Sequence, residues 1–454
     1  MKLRLLTVIS LTAILLVTGC SAKSGTTEGQ ASNKPAEAAA AQTNKPKEEA
    51  PPAAEPVTLS FYVGGGTLTD TEFKIFFEEP VKKKFPHITL NLVKPAEGVT
   101  PAEVLTSSDV PDIVYLTSGS YHAFQDLGVM EDLTPYIEKN NFDTKRLKPV
   151  LLDTIINFSK QGEIFTLPFS SNVAALFYNK DIFDKFGVPY PGDEQLTWEQ
   201  ALEIGTKLTR SDNGVNYIGI DVQNGPASLQ RSYGIAALDP KTGLPALQSE
   251  QWQNVFRILK QNYDIPGFVQ GDKYTYDRDA FLVDQNVAMR PTLLANLIGP
   301  LEELRAQGKP LNWDIAPIPN FSDNLGVNKE ANVHSLVISS VSKHKDVAFQ
   351  VLDYILSDEV QRIVARNGRV PAIVAPELEK EFGADIEVLK DKKIANIFTT
   401  QPSVLHLDPN ENYVSKHLTK AIEDIALRGV DINTAARTAE DLILKELETV
   451  KKTK

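Results

Sequence analysis

Val57-Thr-Leu-Ser-Phe-Tyr-Val63 alternates apolar and polar side chains and is rich in β-branched and aromatic residues, which predicts a strand. Gly64-Gly65-Gly66-Thr67 follows as a turn. Glu72 to Phe85 then places Phe73, Phe76 and Phe77 on one side of a helix that Pro86 ends. Ile88 to Val93 predicts a second strand, Pro101 to Ser107 a short helix and Asp112 to Leu116 a third strand. This β-α-β-α-β rhythm calls for an α/β layer with a mostly parallel sheet and helices on both faces. A second cycle starts near Ile164. Glu163–Leu167 and Ala174–Tyr178 predict strands on either side of Pro168-Phe169-Ser170-Ser171-Asn172, and Thr197-Trp198-Glu199-Gln200 is a capping box opening a helix to about Thr209. Strands at 217–221, 286–290, 312–317 and 333–340 and helices at 248–261 and 292–305 continue the alternation. The last third is helical: Val347, Val351 and Ile355 form one apolar stripe, and Leu418, Ile422 and Ile425 another.

The two cycles lie within 454 residues that are 42% hydrophobic and 23% charged, with a mean hydropathy of -0.20. Such a chain buries a real core and is neither wholly disordered nor a polytopic membrane protein. A net charge of -12 points away from nucleic acid as a partner. The single cysteine excludes an intramolecular disulfide and a cysteine zinc cluster. The histidines (His87, His122, His334, His344, His406 and His417) have no metal-ligand spacing. Asp408-Pro-Asn410-Glu-Asn412 imitates the start of a calcium loop. Tyr413 stands where that loop needs glycine and Thr419 where it needs glutamate, so no metal or other cofactor is expected.

The N-terminus sets the expected compartment. Lys2 and Arg4 precede an apolar run from Leu5 to Val17. As a helix it reaches about 20 Å, against about 30 Å of hydrocarbon, which predicts a signal-peptide core rather than a membrane span. The run ends in Val17-Thr18-Gly19-Cys20, which resembles the lipobox of bacterial lipoproteins. That resemblance implies removal of residues 1–19, a lipid on the Cys20 sulfur and anchoring to the extracellular face of the cell membrane. Residues 21–56 contain no Val, Ile, Leu, Met, Phe, Trp or Tyr, so burial cannot repay their ordering entropy. They predict a disordered tether with a reach of roughly 30 Å.

Several segments of the body form an ordered set: Pro111-Asp112-Ile-Val-Tyr-Leu116, Gly162-Glu-Ile-Phe-Thr-Leu-Pro168, Leu176-Phe-Tyr-Asn-Lys-Asp-Ile-Phe183, Thr197-Trp198-Glu199, Val287-Ala-Met289, Trp313-Asp-Ile-Ala-Pro-Ile-Pro319 and Ile338-Ser-Ser-Val-Ser-Lys343. In this order and spacing, over about 57–430, the chain resembles family 1 extracellular solute-binding proteins, the receptor subunits of ABC importers. The resemblance implies a periplasmic-binding-protein-like fold of two α/β lobes with the ligand cleft at their hinge. Lobe one is expected at 57–168 with 337–372, and lobe two at 169–336 with 373–454. Crossings are expected near 168–172, 334–340 and 371–373. It further implies a monomer that takes a small polar solute, foremost a carbohydrate, and hands it to the importer's membrane subunits without covalent chemistry. A surface sensor on the same fold, or a receptor for a non-sugar anion, is the alternative.

Ligands in open α/β sheets sit beyond the carboxyl ends of strands, which nominates the loops there. Gly65, Gly66 and Thr67 form either a backbone cradle or simply a tight turn. Ser118, Ser120 and Tyr121 offer hydroxyls to a solute or caps to the next helix. The resemblance adds Asn172 at the first crossing, Arg290 and Thr292 after Val287-Ala-Met289, and Tyr413 on a late helix. Arg290 suits a carboxylate, a phosphate or sugar hydroxyls, with a salt bridge as its structural alternative. His334 is expected to be structural. Ser120 beside His122 lacks a G-x-S-x-G elbow, so a hydrolase is not expected. Sugar-binding members typically stack an aromatic on the sugar ring. Here Leu293-Leu294-Ala295 and Ala331-Asn332-Val333-His334 stand at the usual aromatic positions, and Trp198, Trp252 and Trp313 look structural. Tyr121, Tyr178, Tyr233 and Phe169 are the possible substitutes.

Overall fold

A computed structural model describes residues 55–453 except 67, 95–98, 106–109, 158, 160–161, 223–225, 404, 406–407 and 409. The leader, Cys20, nearly all of the tether, Thr67 and His406 therefore lie outside the described residues.

The chain begins with β1 (Val57–Val63), β2 (Ile88–Val93) and β3 (Ile113–Thr117), with β1 paired in parallel to both neighbours. It then enters β4 (Leu167–Asn172). A second sheet follows at once: β5 (Ala174–Asn179), β6 (Arg210–Asp212), β7 (Val215–Ile220), β8 (Val287–Leu293) and β9 (Trp313–Pro317), in the order β6-β7-β8-β5-β9. After β10 (Val327–Glu330), β11 (Asn332–Ile338) and β12 (Val370–Pro371) return to the first sheet, whose order is β12-β4-β11-β3-β1-β2. β13 (Gln401–Ser403) pairs with β10. Within the two large sheets β1–β2, β1–β3 and β7–β8 are parallel and the other ladders antiparallel; the separate β10–β13 pair is parallel. The sheets are thus more mixed than the β-α alternation predicts, because strands arriving from the other lobe run back against their neighbours.

Three local differences from the sequence expectation have physical causes. The expected helix at 72–85 runs Asp70–Phe73, a π-turn over Lys74–Glu78, then Glu79–Lys84. Pro80 has no N–H for an i−4 bond, and the preceding Glu79 N–H reaches back to the Lys74 carbonyl, five residues away. The expected strand at 163–167 is instead β4, because Pro168 is tolerated where the β4–β11 register shifts at His334/Ser335. Thr292 belongs to β8 and not to the following helix. β7 pairs only as far as Met289, so Pro291 meets no ladder that needs its missing donor on that side.

Each sheet carries its own core. In lobe one, Phe61, Phe73, Phe76, Phe77 and Phe169 are buried together, with Phe77 and Phe169 ring centres 4.8 Å apart. Each such ring stabilises the fold by about 2–3 kcal/mol through burial. In lobe two Trp198, Trp252 and Trp313 are fully buried, as are Phe177 and Phe183. The chain leaves the first sheet between Asn172 and Ala174 and re-enters it between Glu330 and Asn332. Leu378 still packs in the first core, whereas Phe382 packs in the second. These passages lie a few residues from the crossings expected at 168–172, 334–340 and 371–373.

The helix Trp198–Leu208 lies close on β7. A Cβ on Gly219 would sit 1.8 Å from the Gly205 carbonyl oxygen, and Thr209 Oγ1 joins the two elements, accepting from Gly219 N–H and donating to Gly205 O, both at 2.9 Å. Backbone cannot yield as a flexible side chain does. Gly219→Ala is expected to cost about 3 kcal/mol of stability, measured as a lower urea midpoint with unchanged slope.

Candidate functional site

The two lobes enclose a cavity of about 890 Å³. Lobe one contributes Thr69, Glu72 and Phe76 from the start of the first helix, and Arg369 from the approach to β12. Lobe two contributes Arg290 and Thr292 from β8, and Asn296 and Glu303 beyond it. The walls mix hydrogen-bonding and charged side chains with apolar ones, Ile75, Phe76, Ile298 and Ile386 among them. Such a surface can meet both the hydroxyls and the apolar C–H faces of a small solute.

Glu72 is held in place from two directions. Its Oε2 accepts from Thr69 N–H at 2.9 Å while its own N–H donates to Thr69 Oγ1, a reciprocal capping box. Its Oε1 accepts from Arg369 Nε at 3.0 Å and Nη2 at 2.5 Å. The Arg369 side chain is only 5% exposed and continues inward, Nη1 donating to His334 Nδ1 at 2.9 Å and lying 3.5 Å from the Tyr115 hydroxyl. Guanidinium has donors only, so His334 Nδ1 must offer its lone pair and the ring is neutral. Burial, and then the Arg369 charge, push the His334 pKa well below its ordinary value. Ser170 Oγ of β4 lies 3.2 Å from the same nitrogen. A wall of the cavity is thereby tied to β3, β4 and β11, the middle strands of the first sheet.

The residues nominated from sequence divide. Arg290 and Thr292 line the cavity. Arg290 also takes its structural alternative: Nη1 donates to Asp221 Oδ2 at 2.6 Å and to the carbonyls of Tyr276 and Asp277. Thr292 Oγ1 accepts from Asn296 Nδ2 at 3.0 Å. Gly65, Gly66, Ser118, Ser120, Tyr121, Asn172 and Tyr413 are not among the residues lining it. The glycine turn packs on the next nominated loop instead. A Cβ on Gly65 would meet Ser120 Oγ at 2.2 Å, and Gly66, at φ +82°, would bring one within 2.4 Å of Thr117 Cγ2. Ser118 accepts the Tyr121 backbone N–H, and Tyr121 itself is buried in a small core with Phe124 and Leu116. Asn172 Oδ1 accepts from Ala295 N–H at 3.2 Å, which fastens the end of β4 to lobe two. Tyr413 stands 36% exposed on a single 3₁₀ turn. Of the substitute aromatics, Tyr178 and Phe169 are buried, and Tyr233 packs tilted against Phe321 with ring centres 4.2 Å apart. Asp408 Oδ1 closes a local turn by accepting from Asn410.

Sequence reasoning missed Glu72 and Arg369. Thr69-Asp-Thr-Glu72 is a capping-box pattern that would have located the helix start. Nothing local in Asn367-Gly368-Arg369 signals burial.

Glu72→Ala removes the carboxylate that pairs with the buried Arg369 charge. We expect about 3 kcal/mol lower stability in urea unfolding, and a smaller loss for Glu72→Gln, which still accepts. A second expectation concerns pH. The unfolded His334 takes up a proton near pH 6.5 that the native site refuses, so stability falls as pH drops below about 6.5. The contribution is up to about 1.4 kcal/mol per pH unit, and His334→Gln should remove it from the pH dependence of the urea midpoint.

Comparison with known proteins places this architecture. The family model described as bacterial extracellular solute-binding protein matches residues 70–362. A putative binding protein of Brucella abortus (strain 2308) is 26% identical over 317 residues, covering 64% of this chain and 71% of that protein. A lactose-binding protein of Rhizobium radiobacter is 25% identical over 150 residues, 31% of this chain and 33% of that protein. The solved structure of an ABC substrate-binding protein from Listeria monocytogenes, in complex with cycloalternan, superposes with a TM-score of 0.69 at 20% identity, covering 87% of this chain and 100% of that one. With two α/β lobes around a cavity and a family match over more than half its length, the chain belongs to the bacterial extracellular solute-binding proteins.

Proposed function

We propose that this protein is the solute receptor of an ABC importer, held at the outer face of the cell membrane by lipid on Cys20, and that it captures a carbohydrate by closing its lobes. The observation that carries this reading is the cavity of about 890 Å³ walled by both lobes and lined by polar, charged and apolar side chains. A solute touching both walls makes more contacts in the closed form than in the open one, and the population shifts accordingly. The closed shape is the signal to the membrane subunits, and no covalent step is needed. Lactose and cycloalternan in the descriptions of two relatives favour a carbohydrate. The cavity's hydroxyl, amide and charged side chains are suited to sugar hydroxyls. Lobe boundaries near 57–168 with 337–372, and 169–336 with 373–454, fit this reading once moved by the few residues noted above. The lipid anchor rests on the pattern around Cys20.

The test is a thermal-denaturation panel of mono- and oligosaccharides, sugar acids and polyols, followed by small-angle scattering with any solute that stabilises. A true ligand at a hundredfold excess over its Kd adds about 2.7 kcal/mol of stability and reduces the radius of gyration. No stabilisation across the panel, together with no co-purifying solute in native mass spectrometry, would overturn the receptor reading. Expression of Cys20→Ala in a bacterial host should move the protein from the membrane to the soluble fraction.

A further inference from the structure

The charge lining the cavity between the lobes is unbalanced. Six carboxylates (Glu72, Asp277, Asp279, Glu302, Glu303 and Asp385) and three guanidiniums (Arg278, Arg290 and Arg369) line it. Each of these arginines already faces a carboxylate: Arg369 faces Glu72, Arg290 faces Asp221 at 2.6 Å, and Arg278 faces Asp279 at 3.8 Å. Glu302 and Asp385 pair at 2.7 and 2.6 Å with Arg305 and Arg366, which stand outside the lining. Asp277 and Glu303 have no ion-pair partner among the described residues. No guanidinium of the cavity is left over for an anion, and two carboxylates are left over for a cation. Among the described residues no three side chains converge as a metal site, so the cation is an organic one.

Both spare carboxylates are accessible. Asp277 and Glu303 are exposed. Asp277 Oδ1 caps the helix Arg278–Leu282 by accepting from Ala280 N–H at 3.0 Å, which leaves its Oδ2 without a donor among the described residues. Glu303 stands on the helix Ile298–Ala306, four residues after Gly299 and on the same face. Gly299 also lines the cavity, and a Cβ there would meet nothing within 4 Å. Open space therefore lies beside Glu303, inside the cavity. A second group points to what else the solute carries. The Arg290 side chain is only 9% exposed, and it spends Nη1 on Asp221 and on the carbonyls of Tyr276 and Asp277. Its Nε and Nη2 have no acceptor among the described residues. With its charge already met by Asp221, Arg290 calls for a neutral oxygen and not for a second carboxylate.

We propose that the solute is an amino sugar, a carbohydrate whose protonated amine donates to Asp277 and Glu303 while a hydroxyl oxygen accepts from Arg290. This deepens the receptor reading above and rests on it, adding a positive charge to the carbohydrate. A cleft lined by an excess of one sign concentrates solutes of the other and repels its own. An acidic sugar meets that excess with like charge, and a neutral sugar leaves it unanswered.

The experiment uses the full-length protein with titration calorimetry and thermal denaturation at about pH 6, below the pKa of an amine. The probes are glucosamine and its β-1,4-linked dimer, the N-acetylated form of each, glucose, cellobiose and glucuronate. N-acetylation keeps the sugar and removes the charge. The expected result is about tenfold tighter binding of an amine-bearing probe than of its N-acetylated counterpart, with glucuronate the weakest. Raising the salt from about 50 to about 500 mM should shrink that preference, because the carboxylates are exposed. In the double variant Asp277→Asn with Glu303→Gln the ratio of the two affinities should fall about tenfold. Asn still caps a helix and Gln is as good a helix former as Glu, so the variant should melt close to the wild-type temperature, and a lost preference is then not lost folding. A response confined to glucose, cellobiose, glucuronate or the N-acetylated sugars overturns this inference and leaves the receptor reading intact. An amine preference that survives in the double variant also overturns it. No response to any probe overturns it as well, and the broader panel then decides the receptor reading separately.

Discussion

Between Asn172, the end of β4, and Ala174, the start of β5, stands a single residue, Val173. β4 lies in the middle of one lobe's sheet, between β11 and β12, and β5 lies inside the other's, between β8 and β9. The passage from one core to the other therefore has almost no slack. The two sheets are held close here and at the equally short passage at Ala331, between β10 and β11, besides the return between Leu378 and Phe382. Asn172, accepting from Ala295 N–H, adds a side-chain tie at the first passage. Short connections of this kind favour rotation of two lobes about them over separation, the motion that the proposed closure of the cavity requires.

The wall on the lobe-one side is held by charge as well as by packing. Arg369 reaches the sheet just before β12 and finds Glu72 on one side and neutral His334 on the other. A buried guanidinium is tolerable only with its donors satisfied, and here a carboxylate, an imidazole and a phenol are assembled around it. The same contacts fix the start of the first helix, whose π-turn is accommodated by Pro80 and whose three phenylalanines fill the core below. The cavity wall is consequently rigid on this side. In lobe two the Arg290–Asp221 pair plays a comparable part, with β8 as the supporting strand. Arginines at the cavity wall that face carboxylates of their own lobe act first as structure.

The sequence by itself determined the alternation of strands and helices, because periodicity reports which faces are apolar, and faces are local properties of the chain. It also marked the buried tryptophans, the capping boxes, the apolar leader before Cys20 and the ordered segments that betray the family. Tertiary structure decided the rest. Ser170 and His334 are 164 residues apart in sequence, and Glu72 and Arg369, 297 apart, share no pattern that pairs them. Strand direction and register depend on which distant segment supplies the next ladder, so the antiparallel strands at the hinge and the extension of β8 past Pro291 were not legible locally. The nominated Gly65, Ser120 and Tyr121 were correctly placed beyond strand ends, yet a loop's neighbours are set by the packing of both elements that carry it. Glycine absence of bulk served loop-on-loop contact there, and burial of Arg369 and Lys329, which no composition rule anticipates for charged residues, followed only from the meeting of elements far apart in the chain.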